Sequence, residues 1–390
     1  MGGPGAARLL ACLAVLGLGL GLAACAADPV AAQGTPEIVR GEAGAFRVVP
    51  FAGGLDHAWG AAFLPDGRLL VTERPGRLRL IGRDGAVSAP LPGVPEVVAA
   101  GQGGLLDVAL APDFAATRQV YFCLAGAAPG GALTRLATAT LSADATRLEG
   151  TRTLLDATPA QSSGRNHYGC RLAFGRDGKL LLSTGERYAN KARAQDLSDL
   201  GGKVLRLERD GRPAEGNPFL GRPGARPEIF TLGHRNPQGL AVNPATGSVV
   251  EVEFGAKGGD EVNLLRAGAN YGWPIVSYGT DYDGSPIGTG RASAPGIEEP
   301  LRHWTPSINP SGANFYDGDA FPAWRGNLFL AALNPPGLVR LTMEGDRVVA
   351  EERLLRGRTR FRQVLPGPDG LLYILTDEDR GRVLRLEPAH

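Results

Sequence analysis

The 390-residue sequence has almost no excess charge. Lys and Arg total 41 and Asp and Glu total 40, which gives a formal net charge of +1 at pH 7. A chain this close to neutrality has no net charge with which to attract nucleic acid or an anionic membrane surface. The sequence also lacks a Walker loop, cysteines and histidines at zinc-ligand spacing, and a serine-centred nucleophile elbow. It therefore gives no support for nucleotide-dependent, zinc-dependent or serine-nucleophile chemistry.

Glycine and proline, in contrast, are abundant. The chain has 57 Gly and 30 Pro, together about one residue in five, which exceeds ordinary usage. Both residues destabilise helix interiors, so a long helical bundle is disfavoured. Hydrophobic residues make up 43% of the chain, too many for a disordered protein. Turn-rich β structure is favoured.

The N-terminus has the pattern of a bacterial export signal. Arg8 is its only charged residue. The apolar run over 9–22 is shorter than the roughly 20 residues that a membrane-spanning helix needs. The run ends in Leu22-Ala23-Ala24-Cys25, which resembles a lipoprotein signal and implies cleavage before Cys25 with lipid on its thiol. Plain secretion, with cleavage at nearby small residues, is the alternative. We expect a signal peptide over 1–24, a tether over 25–45, and a periplasmic or cell-envelope location with membrane contact only through the lipid.

Two cysteines remain in the folded part, Cys123 and Cys170. An oxidising compartment permits a disulfide between them. Two buried thiols are an equally good interpretation, because spacing along the chain does not show whether their Cα atoms are close enough.

From about residue 46 the chain repeats one pattern six times. A short polar segment precedes an apolar strand, a Pro/Asp/Gly turn and a second apolar strand, as in AAFLPDGRLLVTER at 61–74, RLAFGRDGKLLLSTGER at 171–187 and QVLPGPDGLLYILTDE at 363–378. Antiparallel meanders repeated in this way indicate propeller blades. We predict an all-β, six-bladed β-propeller, a single domain over 46–390. A β-sandwich with a second domain would not explain why the pattern continues to the C-terminus.

The polar segments should meet at one mouth of the central channel, because each enters the innermost strand of its blade. Convergent polar groups in a concavity are the default binding-site hypothesis. The segments supply His57, Gln102, Asn166, His167, Arg235, Asn236, Gln238, Trp304, Arg360 and Arg362. Several arginines together suit a planar ligand with several carboxylates, since guanidinium groups bind carboxylates in bidentate fashion.

These segments carry a family resemblance that covers essentially the whole mature chain. The motifs are GHRNPQGLA at 233–241, GGDEVNL at 258–264, NYGWP at 270–274, GKVLRL at 202–207 and RFRQVLPGPDGLLYILTD at 360–377. In this order they resemble the soluble aldose dehydrogenases of the glucose/sorbosone type that depend on pyrroloquinoline quinone (PQQ). The resemblance implies PQQ and Ca²⁺ as cofactors, an aldose as substrate, oxidation at C1 to a lactone, and an external quinone or cytochrome as electron acceptor.

The resemblance also implies roles for individual residues. His167 would be the general base, Glu186 the carboxylate that orients it, and Arg235 the stabiliser of charge on the cofactor. The cofactor would be held by Asn236, Arg360, Arg362, Trp304 and Asn334. The sugar would contact Gln102, Asn166 and Gln195. Calcium would bind the backbone carbonyls of Gly255 and Ala256, hard oxygen ligands of the kind it prefers.

The chain departs from the family pattern at three places. Glu186 stands where aspartate is frequent, Asn334 stands near the position of a usual cofactor-binding lysine, and Gly255-Ala256 replaces a Gly-Pro pair. Two other functions therefore stay open: a non-catalytic sugar-binding propeller derived from the enzyme, and a calcium-dependent lactonase. The lactonase would need several carboxylate or amide ligands in the channel, where this sequence predicts arginines instead.

Overall fold

The computed structural model describes residues 1–2 and 35–389. Residues 3–24 of the expected signal peptide and Cys25 lie outside the described residues, as do residues 26–34 of the expected tether. The described chain begins with a hairpin of two strands, β1 (Glu37–Gly41) and β2 (Gly44–Leu55). Residues 37–45 are therefore part of a sheet, which differs from the tether expected there.

Six antiparallel sheets follow one another along the chain as blades 1 to 6. Blade 1 contains β3 (Ala58–Phe63), β4 (Leu69–Glu73) and β5 (Arg77–Ile81). Blade 2 contains β6 (Leu105–Leu110), β7 (Gln119–Ala128), β8 (Gly131–Leu141) and β9 (Leu148–Asp156). Blade 3 contains β10 (Gly169–Phe174), β11 (Leu180–Thr184), β12 (Lys203–Leu207) and β13 (Ile229–Leu232).

The second half of the chain repeats this arrangement. Blade 4 contains β14 (Pro237–Val242), β15 (Val249–Glu253), β16 (Asp260–Leu264) and β17 (Arg302–Trp304). Blade 5 contains β18 (Pro310–Phe315), β19 (Leu328–Leu333), β20 (Pro336–Glu344) and β21 (Arg347–Leu354). Blade 6 contains β22 (Phe361–Pro366), β23 (Leu372–Thr376) and β24 (Gly381–Pro388), and β2 and β1 complete it by pairing beside β24.

The first strand of each blade lies innermost in the ring. β3, β6, β10, β14, β18 and β22 each contact the next in turn, and β22 returns to β3. The predicted six-bladed propeller is therefore confirmed. Pairing of the N-terminal strand β2 with the C-terminal strand β24 closes the ring, so that the last blade is joined across the chain termini.

Helical structure is minor in the described residues. It consists of one four-residue helix, α1 (Phe114–Thr117), and short 3₁₀ segments at Lys191–Gln195 and Pro322–Trp324. None of these is long and apolar enough to cross a membrane.

The core is divided among the faces between neighbouring blades. One buried cluster, for example, packs Tyr121 and Cys123 of blade 2 against Cys170 and Leu182 of blade 3. Cys123 and Cys170 form a disulfide there, with their Cα atoms 5.4 Å apart. The bridge thus fastens two blades to each other directly behind the segment that carries His167.

Candidate active site

A cavity of about 510 Å³ lies where the segments entering the inner strands meet. Most of its lining is polar. It brings together eight residues to which the resemblance gave a role: Gln102, His167, Arg235, Asn236, Gly255, Ala256, Arg360 and Arg362. Its other lining residues are His57, Trp59, Arg74, Gln238, Phe254, Tyr282, Asn309, Leu333 and Asp377.

His167 is held by a buried carboxylate. Its Nδ1 lies 2.8 Å from Oε1 of Glu186, and both side chains are buried. Glu186 lies two residues after the end of the second strand β11, and the contact forms despite the extra methylene relative to aspartate. Burial lowers the pKa of His167 below its usual value, the hydrogen bond to Glu186 opposes that change, and the positive charge of Arg235 reinforces it. The imidazole is therefore neutral near pH 7, donates through Nδ1, and carries its lone pair on Nε2.

The backbone around His167 has an unusual conformation that its neighbours hold in place. His167 has φ +51°, in the left-handed region that non-glycine residues rarely adopt. Its N–H donates to Oε1 of Gln102 at 2.8 Å, and the N–H of Gly169 donates to Oδ1 of Asn236 at 3.0 Å. Gly185 packs so closely that a Cβ there would lie 2.2 Å from the His167 carbonyl oxygen. Gln102 and Asn236 thus position the His167 segment as well as line the cavity.

Two arginines of blade 6 share one carboxylate. Arg362 donates to Asp377 Oδ2 at 2.6 Å and to Gln238 Oε1 at 2.7 Å, while Arg360 reaches the same Asp377 oxygen at 3.1 Å. The charges of these arginines and a hydrogen bond from His57 outweigh desolvation and hold the pKa of Asp377 well below its usual value. The buried Nε of Arg362 has no hydrogen-bond partner among the described residues. Such a group is costly unless a ligand satisfies it.

Arg235, which precedes the inner strand β14 of blade 4, also has one nitrogen without a hydrogen-bond partner among the described residues. Its Nη1 donates to the carbonyl oxygen of Gly255, and its Nη2 donates to the Tyr282 hydroxyl at 3.0 Å. Its buried Nε has no partner among the described residues. The Arg235 backbone N–H donates to Oε2 of Glu253 at 2.6 Å, which fixes the start of blade 4 below the cavity.

Five predicted residues do not line the cavity: Glu186, which contacts His167 as expected, and four residues that were expected to touch a ligand. Trp304 was expected to pack on the cofactor, but it belongs to β17, the outermost strand of blade 4, where it is buried against blade 5 and donates from Nε1 to Glu351. Asn334 is exposed in the turn between β19 and β20. Gln195 is bound to Asn270 and to the Trp273 carbonyl. Asn166 offers its backbone carbonyl to Arg187. These placements correct the ligand roles expected for Trp304, Asn334 and Gln195, and they give Asn166 a backbone contact only.

Other lining residues were not assigned a role from the sequence. Arg74 adds a fourth guanidinium group to the cavity, and Trp59 and Tyr282 provide the aromatic surface that was expected from Trp304. Arg74 and Asp377 each follow the second strand of a blade, a position that the repeat pattern does not mark. His57 and Gln238 were expected at this mouth without a stated role; His57 Nδ1 lies 2.9 Å from Oδ1 of Asp377.

Among the described residues, the histidine and carboxylate side chains that lie close enough together to bind a metal ion are outside the cavity. His234, Glu251 and Glu253 form a buried group outside the cavity, with His234 Nδ1 3.0 Å from Glu253 Oε1. Within the described lining, Asp377 is the one carboxylate, and its oxygens already contact His57, Arg360 and Arg362. The cavity is suited to an anion rather than to a metal bound by side chains.

The fold and the site define a six-bladed propeller with a cationic, histidine-containing cavity at its channel mouth. Residues 55–385 match the family described as Glucose / Sorbosone dehydrogenase, and the chain belongs to this family.

Similar proteins agree with that assignment over most of their length. Aldose sugar dehydrogenase YliI of Escherichia coli (strain K12) is 42% identical over 340 residues, which cover 86% of this chain and 91% of the relative. The crystal structure of the soluble aldose sugar dehydrogenase from Escherichia coli in its apo form aligns with a TM-score of 0.85 at 41% identity, covering 88% of this chain and all of the other. The PQQ-bound aldose sugar dehydrogenase from Streptomyces coelicolor aligns with a TM-score of 0.74 at 31% identity, covering 91% and 98% of the two chains.

Proposed function

We propose that this protein is a PQQ- and Ca²⁺-dependent dehydrogenase that oxidises aldose sugars at C1 to lactones and passes the electrons to an external acceptor. The observation that carries the proposal is a neutral, carboxylate-oriented histidine facing a cavity with four guanidinium groups. Nε2 of His167 accepts no hydrogen bond from any described residue, so it is free to take the proton of a sugar hydroxyl. Glu186 stabilises the imidazolium that forms.

The residues present fit PQQ, a planar tricarboxylate. Arg360 and Arg362 would hold its carboxylates, and the unpartnered Nε of Arg362 offers a donor that no described residue uses. Trp59 and Tyr282 offer the flat apolar surface that a fused ring system requires. Arg235, which also lines the cavity, is the group that would stabilise negative charge developing on the cofactor. When bound, PQQ supplies a two-electron acceptor for the hydride leaving C1.

The fit to calcium depends on Arg235. The Gly255 and Ala256 backbones line the cavity, and backbone carbonyls are suitable calcium ligands. The Gly255 carbonyl, however, accepts a hydrogen bond from Arg235 Nη1. Calcium can bind this oxygen only if the guanidinium withdraws from it. We therefore expect calcium and the anionic cofactor to bind together, since the cofactor offers Arg235 another acceptor.

Export and lipid anchoring through Cys25 form part of the proposal, on the strength of the N-terminal sequence. Intact-mass analysis of the protein purified from membranes should show a chain that starts at residue 25 and carries the added mass of lipid. A chain of unmodified mass that starts near Ala27 would favour plain secretion.

The decisive test of the proposed chemistry is His167→Ala. We expect turnover of aldoses by the PQQ- and calcium-loaded protein, in a dye-linked assay, to fall by about 10²- to 10⁴-fold. PQQ affinity should stay within a few-fold of wild type, because His167 is assigned to the sugar rather than to the cofactor. His303→Ala, at an exposed histidine outside the cavity, is the matched control and should retain full activity. Undiminished turnover in His167→Ala would remove the histidine from the mechanism.

A further inference from the structure

A second cavity lies next to the active-site cavity, on the outer part of blade 5. Its volume is about 430 Å³, which is within the usual range of small-molecule sites. Most of its walls are apolar, and they include Pro335, Pro336, Leu338, Val339 and Leu354. The charged residues Glu351, Arg353 and Arg356 complete it. We call this cavity the blade 5 cleft.

One turn of the chain separates the blade 5 cleft from the active-site cavity. Leu333, the last residue of β19, lines the active-site cavity, whereas Ala332 before it and Pro335 after it line the cleft. Successive side chains of a strand point to opposite faces, so Ala332 and Leu333 face the two cavities from one strand. Electron transfer becomes faster as donor and acceptor approach each other. A molecule held in the cleft is therefore well placed to take electrons from the neighbouring cavity.

Arginine side chains give the cleft its hydrogen-bond donors. Arg353 donates from Nε to Glu351 at 2.5 Å, and its guanidinium lies 5.7 Å from the ring centroid of Trp304. Arg356 is exposed and forms no ion pair within the described part of the chain. Guanidinium donors bind oxygen acceptors more strongly when those oxygens carry negative charge. The cleft thus suits an apolar ring whose edge oxygens gain negative charge during a reaction.

The N-terminal part of the chain enters the fold beside the cleft. Glu37 of β1 accepts a hydrogen bond at 2.6 Å from Arg358, which is two residues after Arg356. Cys25 precedes Thr35 by ten residues, so even a fully extended chain would place it within about 35 Å of this edge. The lipid anchor proposed above would therefore bring the cleft close to a membrane, which is a source of lipid-soluble electron acceptors.

We propose that the blade 5 cleft binds a lipid-soluble quinone, drawn from the membrane, as the external electron acceptor. The inference rests on the proposed function, which supplies the reduced cofactor and the anchor. Two electrons pass from the reduced cofactor to the quinone. The two protons of the reduced cofactor leave to solvent, and the quinone takes up two protons from solvent to become a quinol. Arg353 and Arg356 bind the quinone oxygens and stabilise the negative charge that develops on them.

Binding of the acceptor can be measured without turnover. A short-chain ubiquinone should quench the tryptophan fluorescence of the protein saturably, because Trp304 contacts Arg353 at the cleft. It should bind to the cofactor-free and to the PQQ-loaded protein alike, since the cleft is separate from the active-site cavity. Arg356→Glu should raise the dissociation constant about ten-fold, through loss of a charge-assisted hydrogen bond. Arg152→Glu, at an exposed arginine on β9 of blade 2, is the matched control and should not change it.

Turnover separates the acceptor site from the sugar site. In Arg356→Glu, the KM for the short-chain ubiquinone should rise by the same factor as the dissociation constant. The KM for aldoses and the dye-linked rate should match those of the wild-type protein. With ubiquinone in vesicles of phosphatidylethanolamine and phosphatidylglycerol, the lipidated protein should reduce the quinone faster than Cys25→Ser. With the soluble short-chain ubiquinone, the two proteins should have equal rates.

Three results would overturn the proposal. Quinone binding that PQQ abolishes would place the quinone in the active-site cavity instead of the cleft. Unchanged quinone affinity in Arg356→Glu would remove the cleft from acceptor binding. Equal reduction of vesicle-bound ubiquinone by the lipidated protein and by Cys25→Ser would exclude delivery from the membrane. Absence of PQQ binding, or of dye-linked aldose oxidation, in the wild-type protein would instead count against the proposed function itself.

Discussion

Removal of the disulfide between blades 2 and 3 should destabilise the propeller by an amount that the chain topology sets. Cys123 and Cys170 are separated by 47 residues and are both wholly buried. Closing a loop of this length removes conformational entropy from the unfolded chain, worth about 4 kcal/mol at 25 °C. For roughly 350 folded residues, that free energy corresponds to a fall in Tm of about 5 °C.

The assay is urea unfolding of Cys123→Ala, of Cys170→Ala and of the double variant, followed by circular dichroism and by tryptophan fluorescence. Each single variant already breaks the cross-link, so each should lose most of the 4 kcal/mol, and the second substitution should add little. The folded site should survive, because Gln102 and Asn236 hold the His167 segment independently. Losses below about 1 kcal/mol, or two single losses that sum to the double loss, would refute the reasoning.

Three further predictions address the site. Gly185→Ala should lower both stability and kcat, because its Cβ would collide with the His167 carbonyl. Gly216→Ala is the control: a Cβ there meets nothing within 4 Å, and its φ of +79° costs stability through backbone strain alone. It should therefore leave kcat unchanged, and an equal fall of kcat in the two variants would contradict the account. NMR titration of the cofactor-free protein should place the His167 pKa below the ordinary histidine value of about 6.5. The ring should gain its proton only as the pH falls past that lower value. A titration midpoint above about 6.5 would contradict the expected effect of burial. Trp304→Phe should leave the dissociation constant for PQQ within about two-fold, as a side chain remote from the ligand should; a large loss of PQQ affinity would restore Trp304 to the cofactor site.

Much of the fold could be predicted from local sequence, because each blade begins with an apolar strand, a tight turn and a second apolar strand. The innermost strands, such as β10 and β22, are buried along most of their length. Their hydrophobic runs therefore identify them in the sequence. Closure of the ring could not be predicted in the same way. β2 pairs with β24 from the far end of the chain, and no local pattern reports such a long-range pairing.

The residues of the site, like the fold, could be predicted only in part. His167, Arg235 and Arg362 each lie within two residues of the start of an inner strand, so the repeat places them at the channel mouth. Trp304 was misplaced because it follows a long loop after β16 and then pairs with Asp260 as part of a three-residue outer strand. A strand so short has no periodicity to reveal it. Asp377 was missed because its role arises from side chains of other segments that meet it only in the folded ring.

The measurement that tests the central claim most directly is calorimetric titration of the purified cofactor-free protein with PQQ in the presence of calcium, beside Arg362→Gln. The account predicts saturable one-to-one binding by the wild-type protein that also confers aldose oxidation. Arg362→Gln should bind about ten- to a hundred-fold more weakly, because the lost charge-assisted hydrogen bonds are worth about 1.5–3 kcal/mol. Absence of PQQ binding by the wild-type protein, or equal affinity in the variant, would contradict the assignment of this cavity and favour a non-catalytic sugar-binding propeller.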